Sequence, residues 1–330
     1  MKRKPLTILA GDIGGTSARL ALCRGSAAEF DLLAEQWFPC HEYGSLTEII
    51  RQFRSRHGQP IDRACFGVAG TVQQHLVQSP NLPWPVRGDQ IAAELGLPLV
   101  GLINDLVANL QGVATLGPED LLTLNRGVPT PDGTIGVISA GTGLGEAVGY
   151  LQGDRYLPLP SEAGHADFAP RNELEAELLL HLRRTHGRVS YERVISGPGL
   201  QAIYRFLRDR ALTMNPPGQS IAEMPDQQPA TIASMALDGN CPICVEALEL
   251  FVSCLGAEAG NLALRSLTRG GIYLGGGIAP KIIAKLRDPT FICAFLDKGR
   301  LRPLLETIPV QVILNDRTAL LGAARTALLN

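Results

Sequence analysis

Leu6-Thr7-Ile8-Leu9-Ala10-Gly11, then Asp12-Ile13-Gly14-Gly15-Thr16, then Ser17-Ala18-Arg19-Leu20-Ala21-Leu22-Cys23 is the stretch whose reading decides the fold. The first run is apolar and reads as a buried strand. The last run alternates, with Ala18, Leu20 and Leu22 on one face and Arg19 on the other, so it reads as a second strand. A GxGxxG dinucleotide site needs a helix after its glycine turn, and here a strand follows. No GxxxxGK[ST] occurs in the chain, which excludes a P-loop. What remains is a hairpin whose paired glycines let backbone amides approach an oxyanion. Thr16 adds a hydroxyl donor. Asp12 would repel a phosphate unless Mg²⁺ or its water stands between them.

The same pattern returns 128 residues after Asp12. Ile135 to Ser139 is apolar, Ala140-Gly141-Thr142-Gly143-Leu144-Gly145 is a glycine-rich turn, and Ala147 to Leu151 is apolar again. That spacing is domain-sized, not a solenoid period. A third cluster, Gly275-Gly276-Gly277, follows an apolar run from Gly271 to Leu274. Either hairpin alone also reads as a plain tight turn. Together they suggest two lobes closing on a triphosphate. A length of 330 residues agrees, because chains above roughly 250–300 residues tend to split into domains.

Between the glycine clusters the elements can be read in order. Phe30 to Phe38 adds a third strand. Ser45-Leu46-Thr47-Glu48 is a capping box opening a helix with Ile49, Ile50 and Phe53 on its apolar face. Ala64 to Val68 is a strand, Ile91 to Leu95 a short helix stopped by Gly96, and Leu99 to Ile103 a strand delivering Asn104 and Asp105 before a helix from Leu106. Asn172 caps a helix with Glu175 at its third position. Ser196-Gly197-Pro198-Gly199 opens another. Met214 to Pro229, polar with four prolines, reads as a surface loop. Cys241 to Leu267 is a long helix, Val310 to Leu314 a late strand. Ala319 to Leu329 is a last helix, whose Gly322-Ala323-Ala324 permits close packing.

Composition narrows the classes. With 30 basic and 32 acidic residues, the net charge of −2 gives no chain-wide attraction to nucleic acid or anionic lipid. No apolar run approaches the roughly 20 residues that span a bilayer, and Asp12 interrupts the first apolar stretch, so no signal peptide is expected. Seven scattered cysteines suit reduced thiols in a cytoplasm. Cys241 and Cys244 form one CxxC with no second pair for a zinc site, and read as thiols at a helix start.

Leu9 to Leu22 resembles the first phosphate motif of the bacterial glucokinases, members of the actin-like sugar kinase superfamily. Ser139 to Gly145 resembles their second phosphate motif, and Leu274-Gly275-Gly276-Gly277-Ile278-Ala279-Pro280 their adenosine motif. Leu102-Ile103-Asn104-Asp105-Leu106, Pro160-Ser161-Glu162-Ala163-Gly164-His165-Ala166-Asp167-Phe168-Ala169-Pro170, and Arg188 to Gly199 are similar to the family's sugar-site segments, in the family's order. The resemblance covers nearly the whole chain.

The resemblance implies an α/β, actin-like (ribonuclease H-like) two-lobe fold with a duplicated βββαβα core. The small lobe would span 1–114 plus 315–330, and the large lobe 115–314. It implies a cytoplasmic glucokinase that phosphorylates the glucose 6-hydroxyl from ATP at the entry to glycolysis, as a homodimer without nucleic-acid or membrane partners. Asp105 would be the general base. Asn104, Asp105, Glu162, His165 and Glu192 would bind the sugar. Gly11, Asp12, Ile13, Gly14, Gly15, Thr16, Gly141, Thr142, Gly143, Gly275, Gly276 and Gly277 would hold ATP, with Mg²⁺ at Asp12 through water. The chemistry agrees, since carboxylates accept the hydroxyls of a sugar well, and phosphoryl transfer asks a protein for positioning, charge neutralisation and a base.

Other readings stay open. Asn104-Asp105 also suits a helix N-cap, Glu162 and His165 also suit a polar loop, and Glu192 also suits a pair with Arg188 or Arg193. The sugar could be mannose, fructose or an amino sugar, or the chain a sugar-sensing regulator. A regulator of this superfamily carries an N-terminal helix-turn-helix, for which a first strand at Leu6 leaves no room. The His and Cys zinc motif of the related repressor–open reading frame–kinase group is missing. Ser17, Thr71, Ser161 and Ala163 depart from the residues common in the family, and none removes a group assigned a role.

Overall fold

The computed structural model describes residues 4–27, 29–79, 82–153, 155–214 and 226–329. Most of the Met214 to Pro229 loop, residues 215–225, lies outside the described residues. The chain divides into two compact units. The first is Met1–Asp120, Tyr156–Pro160 and Asn315–Asn330; the second is Leu121–Arg155 and Ser161–Leu314. Residues 115–120 and 156–160, expected in the large lobe, thus group with the first unit. Local bonds explain this: Gln111 Nε2 donates to the Tyr156 carbonyl at 2.8 Å, and Asn315 Nδ2 to Asp120 Oδ1 at 3.0 Å.

In the first unit, five strands lie in the order Phe30–Pro39, Ser17–Gly25, Leu6–Ile13, Arg63–Val68, Gly101–Asn104. The first three pair antiparallel; Leu6–Ile13, Arg63–Val68 and Gly101–Asn104 run parallel. Period two divides the opening strand between two covered faces. Leu9 and Ile13 join Ile49, Ile50 and Phe53 of the helix Leu46–Arg56, while Ile8 and Ala10 join Leu320, Ala323 and Ala324 of the helix Thr318–Leu329. Asp12 and its cross-strand partner Arg19 fall on the second face. Ser45 caps its helix through the Glu48 amide at 3.2 Å, but Glu48 Oε2 answers the amide of Gly44, not that of Ser45.

The second unit repeats the order. Leu144–Gln152 pairs antiparallel with Ile135–Ala140, which runs parallel to Gly271–Gly275 and then Val310–Ile313. The strand Leu121–Asn125, which sequence reading missed, adds an antiparallel edge. This is the duplicated α/β architecture expected of an actin-like fold. The helices Glu173–His186, Gly197–Met214, Pro229–Leu237 and Pro242–Ser266 are inserted before Gly271–Gly275. Pro242–Ser266 is capped by Cys241, whose Sγ accepts the Cys244 amide at 3.2 Å. Burial pushes the Cys244 thiol up to about 12, so this CxxC is an apolar helix start. Among the described residues, no helix is long and apolar enough to cross a membrane.

Candidate active site

The first unit gathers Asp12, Asn104 and Asp105 at the carboxyl ends of its parallel strands. Register aligns Ile13 with Val68 and Val68 with Asn104, so Asp12, next to last in its strand, and Asp105, the first residue after another, lie at the ends of two strands separated by Arg63–Val68. Gly67 lies between. A Cβ there would meet the Ala108 Cβ at 2.7 Å and approach the Asp105 Cα at 3.9 Å. Asn104 caps the helix Asp105–Val113, its Oδ1 accepting from the amides of Leu106 at 2.9 Å and Val107 at 3.4 Å, and its Nδ2 donating to the Gly70 carbonyl at 3.1 Å. Both polar ends of Asn104 are therefore in use holding the chain that presents Asp105. The N-cap reading of Asn104 holds, and it is compatible with a site.

The turn before it is tight: the Gly14 amide donates to the Ser17 carbonyl at 2.9 Å. Gly14 and Gly15 are half-buried and Thr16 is exposed. Gly11 and Ile13 differ from their neighbours. Gly11 is buried under Phe66, where a Cβ would lie 2.5 Å from Cδ1, and Ile13 is core. The structure gives these two packing roles, and the open surface of the turn belongs to Gly14, Gly15 and Thr16.

Burial, then the Asp105 charge, raise the Asp12 carboxyl to about 6; Arg19 opposes and Asp316 adds to the rise. Arg19, 3% exposed, is ion-paired with Glu35, lies 3.4 Å from Asp316 Oδ2 and stacks on Trp37 at 4.6 Å. Sequence reading assigned it no role. The available signal was a lone cation inside an apolar alternation, opposite Asp12. A buried carboxyl raised partly by a neighbouring carboxylate suits a divalent cation, and Mg²⁺ is usually held by one or two carboxylates plus substrate phosphates, not by an all-protein cage. Residues that fit it are therefore present, although no three His, Cys, Asp or Glu side chains cluster as a preformed metal site among the described residues.

A stability consequence follows. The folded Asp12 carboxyl prefers its proton, so ionising it opposes folding. The penalty sets in as pH rises from about 4 to about 6 and is constant above. Asp12→Asn is expected to stabilise the free protein by about 2–3 kcal/mol at pH 7.5, with no gain near pH 3.5. Urea melts at the two pH values check this; an equal midpoint for both proteins at pH 7.5 contradicts it.

The second unit carries the other expected site segments, described here by themselves. The Gly141 amide donates to the Gly143 carbonyl at 2.9 Å, closing the turn, and the Gly141 carbonyl accepts the Gly197 amide at 2.8 Å, at the start of the helix Gly197–Met214. Gly276, at φ 81, comes so close to the Ala140 carbonyl that a Cβ would strike it. Gly276 thus packs on the root of the Gly141–Gly143 turn. Glu192 sits beneath that turn: its Oε2 accepts the Leu144 amide at 3.0 Å and occupies the place where a Gly143 Cβ would go. His165 Nδ1 lies 3.9 Å from Glu192 Oε1. Arg188 pairs instead with Asp167 at 2.6 Å and with the His165 carbonyl, which overturns the alternative of an Arg188–Glu192 pair. The Glu162 carbonyl accepts the His165 amide at 2.9 Å, so one short turn presents Glu162 and His165.

A sequence model of the glucokinase family matches residues 9–330. A glucokinase of Nostoc sp. is 43% identical over 336 residues, covering 97% of this chain and 98% of its own. The chain superposes on the crystal structure of a glucokinase from an Antarctic psychrotroph with a TM-score of 0.87 at 30% identity, covering 98% of this chain and 99% of that one. A glucokinase from Streptomyces griseus in complex with glucose and AMPPNP shares the fold at a TM-score of 0.65 and 20% identity, over 98% and 100% of the two chains.

Proposed function

The chain belongs to the glucokinase family, and on that premise we propose that it transfers the γ-phosphoryl group of ATP to the 6-hydroxyl of glucose. The observation that carries the chemistry is the pair of strand ends that presents Asp105 beside Asp12 across the bare Gly67. Asp105 takes the proton of the 6-hydroxyl as it attacks the γ-phosphorus. Its carboxylate is aimed by the Leu106 amide, 3.0 Å from Oδ1, and by the Asn104 cap beneath it. Glu162, His165 and Glu192 accept or donate to the remaining sugar hydroxyls. The turns Gly14–Thr16 and Gly141–Gly143, with the exposed Thr16 and Thr142, hold the phosphates, and Gly275–Gly277 the adenosine. Asp12 would hold a Mg²⁺ ion, directly or through water; when bound, that ion neutralises charge on the transferring phosphate. Seven free thiols support a reducing compartment; a cytoplasmic homodimer is part of the same proposal.

Glu162→Gln exchanges a charge-assisted bond for a neutral one, a difference on the order of 1 kcal/mol. The glucose KM is expected to rise about fivefold, with kcat less affected; an unchanged KM contradicts the contact. A coupled ATP-consumption assay on glucose, mannose, fructose and N-acetylglucosamine, with magnesium omitted as control, tests the reading as a whole. Glucose should give the highest kcat/KM and depend on magnesium. A strong preference for another hexose contradicts it.

A further inference from the structure

Glu192 follows a tyrosine that is held by side chains of other elements. Its neighbour Tyr191 is buried edge-on against Phe168. The Tyr191 hydroxyl donates to Glu258 and accepts from Asn261 Nδ2 at 3.1 Å. Asn261 Nδ2 also donates to Glu258 Oε2 at 2.9 Å, and Asn261 Oδ1 accepts from Lys298 Nζ at 2.8 Å. Glu258, on the helix Pro242–Ser266, is in turn hydrogen-bonded to Glu146. Glu146 lies on the strand Leu144–Gln152, two residues past the Leu144 amide that Glu192 holds.

Both carboxyls of this pair are fully buried. Arg265 reaches each of them, ion-paired with Glu258 and 3.3 Å from Glu146 Oε2, but its side chain is 44% exposed. No donor reaches Glu146 Oε1. One solvated guanidinium does not offset two buried carboxylates. A hydrogen bond between two carboxyls also requires that one of them carry a proton. The groups facing the pair are Arg265 and Asn261 from the same helix as Glu258, Tyr191 from the turn before Glu192, and Lys298. Burial holds Lys298 below the usual lysine range, and Arg171 and Asp297 act on it from further out.

We propose that Glu146 and Glu258 are positioning residues for the sugar site: at neutral pH they share one proton, and this acid–carboxylate pair fastens Tyr191, and with it Glu192, to the strand behind the Gly141–Gly143 turn. The inference rests on reading Glu192 as a sugar ligand. Burial first, and then the Glu258 charge, push Glu146 up to about 8, the direction the geometry requires. In the folded protein the shared proton is still held at neutral pH and leaves as pH rises through about 8. Two buried carboxylates then repel, Tyr191 loses its anchor, and Glu192 is released from its place against the Leu144 amide.

The test is glucose KM and kcat from pH 7 to 9.5 for the wild-type enzyme and for Glu146→Gln, Tyr191→Phe and Glu192→Gln. The wild-type KM is expected to rise about fivefold or more across that range, with kcat changing less than about twofold. Glu146→Gln, whose amide donates at every pH, should keep a flat KM near the neutral wild-type value. Tyr191→Phe, which lacks the hydroxyl, should start with a raised KM at pH 7. A wild-type KM that does not move, a Glu146→Gln enzyme that rises in parallel with it, or a Tyr191→Phe enzyme with the wild-type KM at pH 7 each overturns the inference. Glu192→Gln separates the two readings. An unmoved KM at pH 7 defeats the sugar role of Glu192 itself. A raised KM there, alongside a Glu146→Gln enzyme that follows the wild type, defeats the proton-sharing pair alone.

Discussion

Asp105→Ala is expected to lower kcat at least about 10²-fold, the scale of a lost general base, while the protein stays folded. The two effects separate because neighbouring residues do different jobs. Asn104 supplies the helix cap, accepting from the Leu106 and Val107 amides, and its Nδ2 ties the strand end to Gly70. Asp105 adds a contact to the Leu106 amide and a charge in the first turn, worth about 0.3–1 kcal/mol. Its removal also relieves the repulsion at Asp12. Stability should therefore change little. Steady-state kinetics with a urea melt on the same preparation check this, and turnover within a few-fold of wild type contradicts the base assignment.

Gly322→Val is expected to destabilise the protein by more than about 3 kcal/mol, or to prevent its folding. The helix Thr318–Leu329 crosses the helix Asp105–Val113 backbone to backbone. A Cβ at Gly322 would strike the Ala108 carbonyl and come within 2.6 Å of the Gly112 amide; one at Gly112 would strike the Thr318 carbonyl. Backbone cannot rotate aside as a side chain can. Any substituent must push the helices apart, unpack Leu320, Ala323 and Ala324 from the sheet, and shift the helix that begins at Asp105. Urea denaturation of the variant, or of the milder Gly322→Ala, reads the effect. Wild-type midpoints would contradict the crossing.

Much of this was legible in the sequence because local chemistry and tertiary structure agree. The two glycine hairpins, the strand that delivers Asn104, the Asn172 cap, the helix start at Cys241 and the small-residue face of the last helix each announce themselves within a few residues. What was not legible depends on partners far along the chain. The strand Leu121–Asn125 is a short edge element whose pairing with Val310–Ile313 leaves no local signature. Gly11 and Gly14 look alike in a motif, yet only the first is explained by Phe66, more than fifty residues on. Arg19 looks like the polar position of an alternating strand until Glu35 and Asp316 enclose it. Glu192 flanked by arginines reads as an ion pair, whereas the fold spends Arg188 on Asp167 and gives Glu192 the Leu144 amide. Glu146 and Glu258 are 112 residues apart, and nothing in either segment announces a shared proton.

The central claim is transfer to one hydroxyl of one sugar. Phosphorus-31 NMR of the product formed from glucose and Mg·ATP tests it most directly. The account predicts one new phosphomonoester per ADP, split by the two protons on carbon 6. A phosphate on the anomeric carbon, or ADP release with no sugar phosphate formed, would contradict it.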